Sequence, residues 1–194
     1  EGSAKIIPYK GTVMQLAPSA RIYLKGKDLE ITANKLKKSK SETHIRMDAN
    51  AVWKCNNGAY LFYNTVVEIK ENAILETGYF SANGGSVIIA DKHIEFGEDV
   101  MIGRNVIIYD SDFHCLLDDE GRAVNKPQKV KIEDHVWLTT NVMVQKGITI
   151  GRDSLVSAYT VVNKEMPENC IIGGKSVGKV LKEEVRWNRK RCPR

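Results

Sequence analysis

One histidine of this chain stands among carboxylates. His114 lies in the stretch YDSDFHCLLDDEGRAVNKPQK, residues 109–129, with Asp110, Asp112, Asp118 and Asp119 close by. An imidazole titrates near neutral pH, so it is suited to take a proton from a hydroxyl as a general base. Asp110 and Asp112 are near enough in sequence to orient the ring or to raise its basicity. The plainer alternative is an exposed loop histidine bonded to an aspartate. Cys115 is a nucleophile by type, but neighbours in an extended segment point to opposite sides, so no covalent role is assigned to it.

The segments around this stretch are far more regular than the stretch itself. An aliphatic residue recurs at Ile132, Leu138, Val144, Ile150, Val156 and Val162, always six apart. The position two before it is Val130, Val136, Val142, Ile148, Ser154 and Thr160. Ile88-x-Ala90, Ile94-x-Phe96, Val100-x-Ile102 and Val106-x-Ile108 repeat the pattern upstream. A helix would space its apolar residues by three and four, and an ordinary strand would alternate over a longer run. A two-residue alternation cut by a corner at every sixth residue describes very short strands on the three faces of a prism. The expected fold is therefore all-β, a parallel β-helix of hexapeptide repeats. Gly97, Gly103 and Gly151 follow inward positions, where a corner needs a small residue or a permissive backbone. His93 and His135 fall at outward corner positions. Ile108 and Ile132 are 24 residues apart, a multiple of six, so the His114 stretch should leave the prism and return in phase. Long loops on a compact scaffold commonly carry function.

One structural domain is expected, in three stretches. Residues 64–167 form the regular helix with its extruded loop 109–129. Residues 1–63 are degenerate coils (Ile22-x-Leu24, Leu29-x-Ile31, Ile45-x-Met47), interrupted by an excursion carrying Lys35, Lys37, Lys38, Lys40 and then His44. Val67-x-Ile69, Ala73-x-Leu75 and Tyr79-x-Ser81 run three residues out of phase with the hexads from Ile88 onward, which places a slip near Ala82–Gly85. Residues 168–194 comprise a glycine turn, a short amphipathic helix over Val180 to Asn188 capping the open end, and a basic tail.

Composition removes several classes of function. The net charge of +5 sits in runs with no aromatic residues interleaved in the lysine segment, which reads as solvated surface; no nucleic-acid partner is expected. Cys55, Cys115, Cys170 and Cys192 form no CxxC pair, which suits a reducing compartment. No stretch of 18 apolar residues is present, so no membrane span is expected, and Glu1-Gly2-Ser3 does not open a signal peptide. The expectation is a soluble cytoplasmic protein.

The strings IEFGEDVMIGRNVIIYDSDFH and VKIEDHVWLTTNVMVQKGITIGRDSLVSAYTVVNKEMPEN, with the glycine turn before KVLK, resemble the hexapeptide-repeat acetyltransferases of the maltose and galactoside type and their polysaccharide O-acetyltransferase relatives. The resemblance runs from about Asn64 to Lys182. It implies a left-handed β-helix, a homotrimer with active sites between subunits, acetyl-CoA as co-substrate and a sugar or glycan acceptor. In that likeness His114 matches the general base, and Asn83 and Asp91 match residues that contact the acceptor sugar. Trp137 matches a tryptophan typical of the family and joins the substrate-binding set, although an outward aromatic there also suits a subunit contact. Thr140 and Ala158 match residues lining the pantetheine groove, Asn163-Lys164 match a Thr-Lys pair beside it, and Lys179 and Lys182 match basic residues near the nucleotide phosphates. The chain departs from the family at Thr139 and Ser157, at Tyr159 (a glycine in relatives), and in the turn before Lys179, which lacks a proline and is one residue longer.

The implied chemistry is direct transfer in a ternary complex, favouring a cell-surface glycan precursor as acceptor and needing no metal. Three alternatives are weighed against it. An N-acetyltransferase of an amino-sugar nucleotide differs only in acceptor, and a structural β-helix subunit would need no loop histidine. A hexapeptide-type carbonic anhydrase would need three zinc-binding histidines, two of them closely spaced, and that pair is missing.

Overall fold

The computed structural model describes residues 3–174 and 186–188. Its strands are two to five residues long and stack into three parallel sheets of eight, seven and six strands, one for each face of a prism. The first coil runs Ile6–Pro8, Thr12–Leu16, Arg21–Leu24, and the later coils lay their strands onto those below in parallel register, three to a coil up to Thr149–Ile150 and fewer beyond. Each strand thereby satisfies its backbone groups through neighbours about 4.8 Å away, which strands this short cannot do within themselves. The prism winds left-handed. The usual right-handed crossover rule rests on a helix packing back onto the sheet, and a corner of a few residues has none.

The inward positions are those the repeat picks out. Val130, Ile132, Val136, Leu138, Val142, Val144, Ile148, Ile150, Val156 and Val162 are all buried, with Ser154 and Thr160 beside them. The degenerate coils obey the same rule: Leu29, Ile31, Ile45 and Met47 are buried, and Ile22 and Leu24 pack against the core from its open end. Within these lower coils the core is aromatic. Trp53 and Phe80 lie 6.5 Å apart and Phe80 meets Phe96 edge-on at 5.2 Å, while Trp53 Nε1 donates to Thr77 Oγ1.

Phe80 corrects the expected phase. The inward pair is Phe80 and Ala82, not Tyr79 and Ser81. Strand pairing sets Leu75 against Ile94 and Thr77 against Phe96, so the slip of three is divided. Two residues are added at the corner between Ile69 and Leu75, one is lost at the Gly78 corner and two are added at the Asn83–Ser86 corner. Burying the phenyl ring against Phe96 outweighs the even spacing, and Tyr79 turns outward.

The corner glycines are required by close approach. A Cβ on Gly103 would stand 2.5 Å from the Thr139 carbonyl oxygen, and one on Gly151 would stand 2.4 Å from the Glu168 nitrogen. Left-handed backbone at the corners falls instead to Asn64, Asn72, Asn105 and Asn141, residues that tolerate it better than most.

The helix expected over Val180 to Asn188 is corrected where it is described. Arg186–Asn188 is a strand, antiparallel to Cys115–Leu117 of the extruded loop. Residues 175–185 lie outside the described residues. The loop strand would otherwise carry an unpaired edge, which a helix cannot satisfy.

Candidate active site

The loop leaves the corner between the second and third faces in the coil that contains Ile107–Tyr109. It returns as Val130–Ile132, which pairs with His93–Phe96 without loss of register. Asp110 anchors its root. The carboxylate is fully buried; Oδ1 accepts the Asp91 N–H at 2.7 Å, and Oδ2 accepts those of Lys92 at 2.8 Å and His93 at 2.6 Å. Burial pushes this carboxyl above its ordinary range, and the three N–H groups pull against that shift. Asp110 is thereby committed to tying one coil's corner to the next. The Asp110 carbonyl also accepts the Gln128 N–H at 2.8 Å, closing the loop's base.

Beyond the anchor the chain makes a tight turn. The His114 N–H donates to the Asp112 carbonyl at 2.7 Å, across Phe113 at φ +61°. A bond from residue i to i+2 over a positive φ is the rare, strained kind of three-residue turn, and a bulky residue there is an outlier. Such strain persists only where its surroundings enforce it. Here Ser111 Oγ accepts the Phe113 N–H at 3.0 Å, and the Tyr109 ring packs edge-on against Phe113 at 5.2 Å. The turn leaves His114 exposed at the foot of the loop.

Asn125 and Lys146 brace the turn, and neither stands out in the sequence. Buried Asn125 accepts the Leu116 N–H at 2.7 Å and donates to both the His114 carbonyl and Asp112 Oδ2 at 2.8 Å. Lys146, on the next coil at the same corner, pairs with Asp112 and donates to the Asn125 carbonyl at 2.9 Å. Lys146 comes from 32 residues further along the chain than His114, so only the stacking of coils brings it here.

The other expected site residues divide between the two edges of the second face. Asp91 is buried at the edge that bears the loop, directly below Asp110. Exposed Asn163 and Lys164 belong to that edge two coils further on. Asn83 stands at the opposite edge, where its backbone N–H (2.9 Å) and its Nδ2 (3.2 Å) both donate to the Ile102 carbonyl. Thr140 and Ala158 stand exposed at that far edge on successive coils, with the Tyr159 N–H donating to the Thr140 carbonyl at 3.1 Å. The Tyr159 side chain is 74% exposed at φ +59°, a conformation a glycine adopts without strain. Trp137 is on the first face, 43% exposed between Met101 and Leu155 over a groove of about 310 Å³. One copy of the chain therefore does not bring Asn83, Trp137 and His114 together. Lys179 and Lys182 lie outside the described residues.

Short parallel strands in three stacked sheets, hexad-spaced inward side chains and an extruded loop define a hexapeptide-repeat, left-handed β-helix protein. No protein-family model matches the chain. The curated proteins it resembles in sequence include several O-acetyltransferases. The chain is 30% identical over 121 residues to a galactoside O-acetyltransferase of Lactococcus lactis, covering 55% of this chain and 58% of that one. It is 28% identical over 126 residues to a polysialic acid O-acetyltransferase of Escherichia coli, covering 64% and 41%. The matches thus span about half the length of these curated relatives. A crystallographically analysed polysialic acid O-acetyltransferase superposes with a TM-score of 0.62 at 18% identity, over 100% of this chain and 92% of that one.

Proposed function

We propose that the protein is an acetyl-CoA-dependent sugar O-acetyltransferase in which His114 is the general base. The observation that carries this reading is the braced, strained turn at Phe113. A solvated loop histidine needs no buried Asn125, no Lys146 from the next coil and no left-handed phenylalanine beneath it. The galactoside and polysialic acid O-acetyltransferase relatives support the reaction class.

In this reading the acceptor hydroxyl gives its proton to the His114 ring while its oxygen attacks the thioester carbonyl. The C–S bond breaks, the acetyl group passes to the sugar oxygen, and the proton is returned to the departing thiolate. A base in this position contributes about 10²–10⁴-fold. Thr140 and Ala158 offer exposed, small corners where a pantetheine arm can run along the prism, and in this reading a backbone N–H near Thr140 receives the oxyanion. Asn163-Lys164, with Lys179 and Lys182, supply amide and ammonium groups for the nucleotide end. Asn83, Asp91 and Trp137 hold the acceptor, which we take to be a cell-surface glycan precursor.

The split of these residues between two edges supports a homotrimer. A copy packed on the second face sets the Asn83 edge of one protomer beside the His114 loop of the next. One outward column of that face is apolar (Val66, Val87, Ile107, Met143 and Val161, in register), with His44, Arg46 and Glu68 confined to its lower coils, and Met101, Trp137, Leu155 and Ile171 form an apolar column on the first. The third face instead presents Lys54 paired with Glu76, Lys129 with Glu95, and Lys131 with Glu133.

The test is His114→Ala assayed at saturating acetyl-CoA over a panel of sugars, nucleotide sugars and oligosaccharides. The expected result is a loss of kcat of about 10²–10⁴-fold with unchanged affinity for acetyl-CoA. A variant retaining more than about a tenth of kcat would make the loop a binding or assembly element.

A further inference from the structure

The lysine-rich excursion is no loose surface segment. It forms one wall of a cavity of about 590 Å³ at the edge between the first and second faces, lined by Tyr9, Lys10, Lys35, Lys38 and Tyr60 among others. The wall is braced. Thr32, Asn34 and Lys38 all hold positive φ, and the strand pairing shifts register between Ile31 and Ala33. Thr32 is β-branched and fully buried, which makes its φ of +67° a true outlier, held by a 2.7 Å bond between its hydroxyl and that of Thr12. The Ser39 N–H donates to the Leu36 carbonyl at 3.0 Å, and Ser39 Oγ accepts the Ser41 N–H at 3.2 Å.

Charge is concentrated here. Residues 1–50 contain ten Lys and Arg against five Asp and Glu, and the rest of the chain holds 19 of each, so this quarter carries the whole formal excess of +5. Beside the lysines lies an aromatic floor. Tyr60 lines this cavity and also a second groove shared with Lys27, Asp28, Glu30 and Tyr79, where the Lys27 ammonium sits 4.7 Å above the Tyr79 ring. Ammonium groups attract carboxylates, and tyrosine rings offer flat faces against which the C–H face of a sugar packs.

Position links the cavity to the proposed reaction. It spans the first three coils beside the edge on which Asn83 stands, and Lys35 and Lys38 lie two coils before Asn83, about 10 Å along the prism axis. Arg104, exposed on the following coil, extends the cationic edge past Asn83. We propose that this cavity is an accessory site for an acidic saccharide chain, holding carboxylated sugars of the acceptor while a neighbouring unit lies at Asn83. The proposal rests on the sugar-acetyltransferase reading and specifies its acceptor as a polyanion longer than one sugar.

The test is direct binding to the full-length protein of short and long oligomers of sialic acid, with neutral oligosaccharides of equal length and polyphosphate as comparison probes. Wild type should bind long acidic oligomers more tightly than short ones and neutral ones not at all. The Lys10→Ser/Lys35→Ser/Lys38→Ser variant should lose about tenfold or more in that affinity, in a salt-dependent way, with acetyl-CoA binding unchanged. Tyr60→Ser should weaken sialic acid oligomers and leave polyphosphate as before. Equal binding by wild type and the triple variant, or equal binding of neutral oligomers, overturns the site. So does a Tyr60→Ser variant that loses nothing on the saccharide, since that leaves only a non-specific charged patch. Binding needs no turnover, so the two readings fail separately. Lysine-dependent binding without acetyl transfer supports the site and removes the activity; transfer with lysine-independent binding does the reverse.

Discussion

His114 does its proposed work only if its backbone is held, and Asn125 is the residue that holds it. Asn125→Ala removes an acceptor from the Leu116 N–H and a donor from the His114 carbonyl in a buried place. Leaving such groups unpaired costs about 1–3 kcal/mol each. The expected outcome is a kcat well below wild type with acetyl-CoA affinity retained, read by steady-state kinetics beside a binding titration. A second residue-scale expectation concerns His93, the ring beside the loop's root. Burial first, and then the Lys129 ammonium, lowers its pKa from the ordinary 6.5. The unfolded chain therefore binds more protons than the fold between that lowered value and 6.5, so stability rises with pH across this window. It is fully present above the ordinary value and is lost as the pH falls below it. Urea midpoints taken between about pH 7.5 and pH 5 should fall on the acid side, and His93→Gln should flatten that part of the curve.

At the scale of the element, each corner must let the next coil come close. Gly103→Ala would place a methyl group 2.5 Å from the Thr139 carbonyl oxygen, which is backbone and cannot swing away. The expected loss is about 1–3 kcal/mol, measured by denaturant unfolding. Gly121→Ala meets nothing within 4 Å, and the cost there comes from φ +77° alone. Asp110→Asn tests the loop's anchor. An amide presents its NH₂ toward an N–H donor where the carboxylate had an acceptor, so stability should drop by about 1–3 kcal/mol. The hairpin that begins at Cys115–Leu117 should then show faster hydrogen exchange than the coils below it.

For the whole molecule the decisive property is assembly. The second face exposes an apolar column while the third is laced with ion pairs, an asymmetry a lone prism has no use for. Closed threefold packing would cover that column and stop open-ended association. Sedimentation equilibrium at micromolar concentration should give a trimer. Ile107→Glu/Met143→Glu should give monomers that keep the fold and lose acetyl transfer, because the Asn83 edge and the His114 loop are then no longer neighbours. A wild-type monomer with full activity would refute the shared site. Among the described residues no helix is long and apolar enough to cross a membrane.

What the residues determine alone is local and periodic. Inward side chains at Ile132, Leu138, Val144 and their companions are legible because a six-residue period forces each into the core, whatever stacks above. The same period shows that residues 109–129 leave the prism and return in phase, and it singles out His114 by its type and its place. Tertiary structure decides what stacking brings together. Phe80 turns inward against the even spacing because Phe96 and Trp53 offer it an aromatic core. Asp110 proves to be a coil-to-coil tie because the N–H groups of residues 91–93 lie directly below it, 17 to 19 residues away in sequence. Lys146 reaches Asp112 only through the next coil, and Arg186–Asn188 forms a strand where local amphipathicity suggests a helix, since the loop's edge supplies partners no local pattern encodes. The lysines of residues 35–40 read as solvated surface in one dimension. In three, Lys35 and Lys38 line one cavity with Tyr9 and Tyr60, because a side chain's neighbours across a prism edge come from other coils and not from its own stretch of chain.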